Sequence, residues 1–193
     1  DIDDKGFFFR TSPSDARQGE VMADIILARG IDNVAVTYTQ TDYGQGLAES
    51  FEKSFTEKGG TVTISQGHRD GAADYSAEVA ELDAAGGDAL VVIGYVDQGG
   101  SAIVQGALDQ GAFDTFVFPD GMVAQALVDR FGTELETSFG QNPSSEGAGR
   151  KTFAKLSEAA GFDGSSAFAA ESYDAAALLA LAMQAAGSSD PKV

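Results

Sequence analysis

Between residue 7 and residue 130 the sequence alternates short apolar runs with longer amphipathic segments. The apolar runs predict strands at 7–10, 34–39, 61–65, 89–94 and 116–118. The amphipathic segments predict helices at 13–29, 46–58, 75–85, 100–110 and 123–130. Because helices of this length between consecutive strands imply parallel crossover connections, we expect an α/β fold. The expected fold is a doubly wound parallel sheet of five β/α units, covered by helices on both faces.

Two helix starts can be assigned from their capping residues. Ser12 is expected as the N-cap of the first helix, with Pro13 at its first helical position. Before the second helix, in TDYGQG (41–46), either Thr41 or Asp42 can cap the exposed N–H groups, and the two glycines allow a tight turn. Turn chemistry does not require the tyrosine in this stretch, so Tyr43 is either a packing anchor or part of a binding surface.

The pattern changes after Gly132. Residues 132–149 concentrate Gly, Ser, Asn and Pro without a sustained period, which predicts a connection. Two helices are expected beyond it, at 150–160 and 167–186. The second consists mostly of Ala and Leu, and no strand follows it. We therefore expect its partner surface to lie outside the 193 residues, or in a second copy of the chain in a homodimer.

The composition excludes several classes of function. With 12 basic and 30 acidic residues the formal net charge is −18 and the isoelectric point is about 4.1, which argues against binding nucleic acid or an anionic membrane surface. The absence of cysteine excludes disulfides, thiolate catalysis and cysteine-ligated zinc. No apolar run approaches the roughly 20 residues that span a bilayer. Since the sequence has neither an initiator Met nor a signal peptide, we expect a mature or excised segment.

Polar and aromatic residues follow the predicted strands. In an open parallel sheet the ligand crevice lies beyond the carboxyl ends of the strands. Two tyrosines and three carboxylates fall at these ends: Tyr43, Tyr95, Asp42, Asp97 and Asp120. Each alone has a structural interpretation, since Asp42 and Asp97 could serve as turn or capping residues and the two rings could pack over the sheet edge. Together they favour a binding face.

Patterns typical of enzymes are missing. The single histidine, His68 in GHRDG, has no cysteine partner and is expected to be a solvated loop residue. No serine lies in a G-x-S-x-G elbow. Gly44-Gln45-Gly46 begins like a dinucleotide-binding loop, but Glu49 occupies the position of the third glycine and would repel a pyrophosphate. We therefore expect no enzymatic activity, no cofactor and no metal site.

Four segments, in order along the chain, resemble the leucine/isoleucine/valine-binding protein family. They are FFFRTSPSDARQG, NVAVTYTQTDYGQGLAESFEKSFTEKGGTV, DALVVIGYVDQGGSAIVQGALDQG and ESYDAAALLALAMQAAG. The motifs R-T-x-P-x-D-x-x-Q-G and D-Y-G-x-G and the late Y-D-A helix carry the resemblance, which covers nearly the whole chain. The family consists of type I periplasmic solute receptors that feed ABC importers.

The resemblance implies one lobe of a two-lobed receptor that closes over its ligand. Residues 1–138 would form the second lobe, and residues 139–193 would recross the hinge and contribute helices to the first lobe. The implied function is periplasmic binding of branched-chain or other amino acids for a membrane permease. The alternative is a ligand-sensing regulatory domain of the same fold, attached to a signalling or transcription module.

The resemblance also implies roles for individual residues. Tyr43 matches the family's tyrosine that lies against the ligand. Asp120 matches an acidic residue before glycine that receives the ligand ammonium. The turn at 94–97 matches a segment that commonly supplies an aromatic ring, which is either Tyr95 or has been replaced here by Val96-Asp97.

Overall fold

The structure is a computed structural model that describes residues 3–144 and 147–192. Residues 145 and 146 of the expected connection 132–149 lie outside the described residues, as do residues 1, 2 and 193 of the two expected lobe segments. The chain divides into two compact units. One unit is Ser14–Asn142, and the other consists of the described residues of Asp1–Pro13 and Pro143–Val193.

The unit Ser14–Asn142 contains a five-stranded parallel sheet and five α-helices. Its strands are β1 (Asn33–Thr39), β2 (Thr61–His68), β3 (Ala89–Ile93), β4 (Phe116–Phe118) and β5 (Phe139–Gly140). Its helices are α1 (Asp15–Ala28), α2 (Asp42–Glu57), α3 (Ser76–Ala85), α4 (Ser101–Gln110) and α5 (Gln125–Phe131). Three short helical turns follow β3, β4 and α5, at Val96–Gly100, Asp120–Met122 and Gly132–Leu135.

The strand order is β2-β1-β3-β4-β5, and every neighbouring pair is parallel. The chain passes from β1 to β2 on one side and then crosses back to place β3 on the other side of β1. The carboxyl ends of β1 and β3 therefore flank the point where the winding direction reverses, where open α/β sheets bind ligands. The predicted α/β fold with a doubly wound parallel sheet is confirmed.

Side-chain alternation along the strands places a core on each face of this sheet. On one face, Val34, Val36 and Val91 pack with apolar residues of α1 and α2. On the other, Ala35 and Val92 pack with apolar residues of α3, α4 and α5. Both faces of β3 are thus covered, which explains why it is a continuous apolar run in which every residue is buried.

The predicted strand at 7–10 is wrong. Residues 7–10 have no helix or strand in the structure, and Phe9 is 83% exposed. A strand forms only where its N–H and C=O groups find a neighbouring strand, and residues 7–10 pair with no strand among the described residues. The fifth strand is instead β5, which lies within the expected connection 132–149 and pairs with β4.

Two helices begin at other residues than predicted. The N-cap of α1 is Ser14 rather than Ser12, because Ser14 has an extended backbone and its hydroxyl accepts a hydrogen bond from the N–H of Arg17 at 3.4 Å. Helix α2 begins at Asp42 rather than at residue 46. Thr41 caps it and accepts a hydrogen bond from the N–H of Gly44 at 3.2 Å. Tyr43 therefore lies in the first turn of α2.

The second unit contains two helices close to the predicted positions, α6 (Ala148–Ala160) and α7 (Ala169–Ala186). The ring of Phe153 in α6 lies 5.5 Å from that of Tyr173 in α7, between ring centroids. The exposed large hydrophobic residues of α7 are Tyr173, Leu178, Leu179, Leu181 and Met183. Across the described residues, no helix combines the length and apolar character needed to cross a membrane.

Candidate functional site

Three of the predicted site residues meet at the carboxyl edge of the sheet. Tyr43 lies four residues after the end of β1, Tyr95 follows β3 by two residues, and Asp120 begins the short helical turn after β4. All three side chains are partly buried. Because β1, β3 and β4 are neighbours in the sheet, residues that are 77 positions apart in the sequence come within hydrogen-bonding distance.

The Asp120 carboxylate is the centre of this cluster. Its Oδ1 accepts a hydrogen bond from Nε2 of Gln18 at 2.7 Å and another from the hydroxyl of Tyr43 at 3.1 Å. Among the described residues, none donates a hydrogen bond to the other oxygen, Oδ2, and none forms an ion pair with Asp120. The carboxylate is thus held by two neutral donors and keeps its charge uncompensated.

The two tyrosine rings form an aromatic wall beside the carboxylate. The ring centroids of Tyr43 and Tyr95 are 5.5 Å apart, with 32° between the planes. The turn that carries Asp120 approaches this wall closely, since a Cβ on Gly121 would lie 2.3 Å from the main-chain oxygen of Gly94 and 3.2 Å from the Tyr43 hydroxyl. Only glycine fits at position 121 without a shift of the main chain.

Both tyrosines stay protonated at neutral pH. Burial raises the pKa of the Tyr43 phenol far above its usual range, and the negative charge of Asp120 raises it further. Burial and Asp120 also raise the pKa of Tyr95. The Tyr43 hydroxyl is therefore a permanent hydrogen-bond donor to Asp120.

Two other acidic residues from the predicted edge lie apart from the carboxylate. Asp97 is exposed in the turn Val96–Gly100 and forms no hydrogen bond with Tyr43, Tyr95 or Asp120 within the described part of the chain. Its assignment to the ligand site stays a prediction. Asp42 is exposed in the first turn of α2, where its charge favours the helix N-terminus.

Gln18 was not predicted as a site residue. It is buried in α1, 102 positions from the aspartate to which it donates. The sequence contained a signal for it, because Gln18 is the glutamine of the R-T-x-P-x-D-x-x-Q-G motif. Gln141 also joins the cluster, since its Nε2 donates to the main-chain oxygen of Gln18 at 3.1 Å.

A match to a family model places the chain among known proteins. The model of the periplasmic binding protein family matches residues 3–192. The chain belongs to this family. Its members are solute-binding receptors rather than enzymes, and the fold described above is the type I periplasmic-binding fold.

Relatives of this periplasmic binding protein have names that refer to amino-acid binding. A Leu/Ile/Val-binding protein homolog from Brucella melitensis is 35% identical over 188 residues, which cover 95% of this chain and 50% of the relative. A leucine-, isoleucine-, valine-, threonine- and alanine-binding protein from Pseudomonas aeruginosa is 27% identical over 100% of this chain and 52% of its own length. The chain spans about half the length of the curated relatives that it matches.

Solved structures agree in fold. The crystal structure of a leucine-binding protein from Thermotoga maritima superposes with a TM-score of 0.78 at 26% identity, covering 94% of this chain and 53% of that one. A solute-binding protein from Rhodopseudomonas palustris in complex with p-hydroxybenzoic acid superposes with a TM-score of 0.76 at 18% identity, covering 94% and 52%. The second likeness shows the fold alone.

The expectation that His68 is a solvated loop residue is wrong. His68 is the last residue of β2 and is 1% exposed. Its Nδ1 lies 2.9 Å from the hydroxyl oxygen of Thr37, and its buried Nε2 has no hydrogen-bond partner among the described residues. Burial lowers the pKa of the imidazole, although the negative charges of Asp70 and Glu78 act in the opposite direction. His68 is therefore a buried core residue whose imidazole is favoured in its neutral form.

The groups of the cluster around Asp120 are suited to binding a small ligand. The cluster presents an anionic oxygen, Oδ2 of Asp120, and two aromatic faces. Among the described residues no group of three or more histidine and acidic side chains could hold a metal ion.

Proposed function

We propose that this chain is one part of an extracytoplasmic, periplasmic receptor that binds a branched-chain or related amino acid and delivers it to the permease of an ABC importer. The uncompensated Asp120 carboxylate at the sheet edge carries the proposal. The amino-acid-binding names of the relatives from Brucella melitensis and Pseudomonas aeruginosa support the ligand class. The proposed protein has no enzymatic turnover and does not bind nucleic acid.

The negative charge of Asp120 favours a ligand that carries a positively charged group. A partly buried carboxylate without a basic neighbour is stabilised by an ammonium group that forms a charge-assisted hydrogen bond to its free oxygen. Oδ2 is available for that bond, because Gln18 and Tyr43 both donate to Oδ1. The rings of Tyr43 and Tyr95 would then lie against the apolar part of the ligand, where they exclude water.

The proposed receptor needs more chain than these 193 residues. We assign residues 1–138 to the second lobe of a two-lobed receptor, and residues 139–193 to a hinge crossing and to helices of the first lobe. The missing part of the first lobe would supply contacts to the ligand carboxylate. A homodimer through helix 167–186 stays a prediction, which sedimentation of the protein would test.

The alternative of a regulatory domain attached to a signalling or transcription module receives no support from the relatives. The names of those described above refer to binding proteins, and none refers to a regulator.

Calorimetry on the protein made from the complete reading frame tests the proposal. The ligands are leucine, 4-methylpentanoic acid, which lacks the amine, and 4-hydroxybenzoate. We expect leucine to bind and the deaminated acid to bind at least about 100-fold more weakly, because its binding covers the partly buried Asp120 without pairing its charge. Equal affinity for leucine and 4-methylpentanoic acid, or tighter binding of 4-hydroxybenzoate than of leucine, would overturn the proposed function. The 193-residue chain alone should bind leucine far more weakly, since it supplies only part of the contacts.

A further inference from the structure

We infer that Gln18 is a positioning residue, which orients the Asp120 carboxylate and thereby sets the preference for ligands that carry an ammonium group. This role rests on the proposed function, since it acts on the same carboxylate. Gln18 itself does not have to touch the ligand.

The side-chain amide of Gln18 is buried against Asp120. Gln18 is 4% exposed, and its Nε2 lies 2.7 Å from Oδ1 of Asp120. A buried primary amide needs partners for its polar atoms, and a hydrogen bond to an ionised carboxylate is stronger than one to a neutral group. The contact thus fixes both side chains, because neither could turn away without leaving a polar group unsatisfied.

The main chain at Gln18 is also anchored. The main-chain oxygen of Gln18 accepts the hydrogen bond from Gln141, whose own N–H donates to the main-chain oxygen of Phe118 at 2.9 Å. Phe118 ends β4, two residues before Asp120. The same glutamine is therefore tied at its side chain and at its main chain to the segment that carries the carboxylate.

Helix α1, which carries Gln18, packs closely on α2. A Cβ on Gly19 would lie 2.7 Å from the main-chain nitrogen of Phe51, so only glycine allows this approach. The hydroxyl of Ser50 also donates to the main-chain oxygen of Ala16 at 2.9 Å. These contacts hold the first turns of α1, and with them Gln18, at a fixed distance from the sheet edge.

The orientation of the Asp120 carboxylate determines which of its two oxygens can bind the ligand. The terminal torsion of an aspartate is broad, so a carboxylate without partners can rotate. Two donors on Oδ1 fix that torsion and leave Oδ2 as the acceptor for the ligand. Because glutamine is neutral, it orients the carboxylate without cancelling its charge, whereas a lysine or arginine at position 18 would supply the cation that the ligand is expected to bring.

The test compares two ligands on the protein made from the complete reading frame. Gln18→Met keeps the length of the side chain but cannot donate a hydrogen bond. We expect its affinity for leucine to fall by about 10-fold to 100-fold, the usual range for a lost hydrogen bond to a charged group. Affinity for the 2-hydroxy analogue of leucine should fall by no more than about threefold, because a neutral hydroxyl gains less from an oriented carboxylate. The selectivity for the amine would therefore collapse.

Gln125→Met is the matched control. It removes the same kind of hydrogen bond, from a glutamine amide to an aspartate (Asp129 Oδ1, 2.9 Å), at an exposed position in α5, so the ratio of the two affinities should stay at the wild-type value. If Gln18→Met does not fold, Gln18→Asn replaces it, since its amide is one methylene too short to reach Oδ1.

Three results would overturn the role of Gln18. Equal losses for both ligands would mean that Gln18 only supports the fold. Unchanged affinity for leucine in both Gln18→Met and Gln18→Asn would mean that Asp120 is oriented by other contacts. A wild-type protein that binds neither ligand would refute the proposed function, and the role of Gln18 with it.

Discussion

Replacing Asp120 with asparagine removes the charge of the candidate site and preserves its shape. The amide oxygen that replaces Oδ1 can still accept the hydrogen bonds from Gln18 and Tyr43, so the fold should be little affected. The amide nitrogen takes the place of Oδ2 and turns two donors toward the expected position of the ligand ammonium. In the variant, N–H donors face the ligand ammonium where the wild type has the negatively charged carboxylate oxygen.

The size of the effect follows from the surroundings of the carboxylate. Removing one partner of a buried ion pair costs about 3–5 kcal/mol, because the other charge stays desolvated. Asp120 is only partly buried, which places the expected loss near the lower end. A loss of about 3 kcal/mol corresponds to roughly 100-fold in Kd.

Titration calorimetry with leucine on the complete receptor measures this loss, and a thermal melt verifies that the variant is folded. Asp42→Asn is the control. It removes the same charge from an exposed position in the first turn of α2, one residue from Tyr43. Its affinity should stay within about twofold of wild type, because exposed charges are screened by solvent and salt. If Asp120→Asn keeps full affinity, or if both variants lose equally, the assignment of the ammonium to Asp120 is refuted.

Four further predictions concern binding and stability. Tyr43→Phe keeps the ring but loses the hydroxyl that donates to the carboxylate, and calorimetry should show leucine affinity about tenfold weaker. In urea titrations Gly121→Ala should lower the free energy of unfolding by about 1–3 kcal/mol, because its methyl group meets a main-chain oxygen. Gly46→Ala, with open space around it in α2, should raise that free energy by about 0.5–1 kcal/mol. Burial lowers the pKa of His68, so below pH 6.5 the unfolded chain takes up a proton that the folded chain does not. The free energy of unfolding should therefore decrease as the pH is lowered below 6.5. His68→Gln should abolish the part of this decrease that His68 causes.

The interior strands could be predicted because strands that are buried on both faces consist mostly of apolar residues. The expected strands at 34–39, 89–94 and 116–118 correspond to β1, β3 and β4, whose residues are mostly apolar since helices cover both faces. The triple phenylalanine at 7–9 has the same composition but no neighbouring strand. The two-residue strand β5 is too short to form a pattern, so only its pairing with β4 reveals it.

The sequence predicted that Tyr43, Tyr95 and Asp120 lie at one edge of the sheet, but not how these residues interact. The rule that ligands bind beyond the carboxyl ends of parallel strands is independent of sequence detail, and it brought Tyr43, Tyr95 and Asp120 together. Gln18 reaches the same point from a helix, through a contact that depends on how closely α1 approaches α2. That distance is set by tertiary packing, which a capping motif and a helical period do not describe.

The burial of His68 has a specific physical cause in the register of β2. Asn33 pairs with Thr61 and Val34 with Val62, but Ala35 pairs with Ile64, so a bulge skips Thr63. A shift of one residue exchanges the two faces of a strand. Without the bulge, His68 would point to the face opposite Ala35.

With the bulge, His68 pairs with Thr39 and points to the same face as Thr37 and the ring of Tyr75. That face is closed by α3, and the histidine is buried although its neighbours in the sequence GHRDG are polar. Nothing in TVTISQGH indicates the bulge, because no glycine marks Thr63. Pairing across the sheet therefore decides whether this titratable group faces solvent, and a polar sequence around a lone histidine is weak evidence that it is solvated.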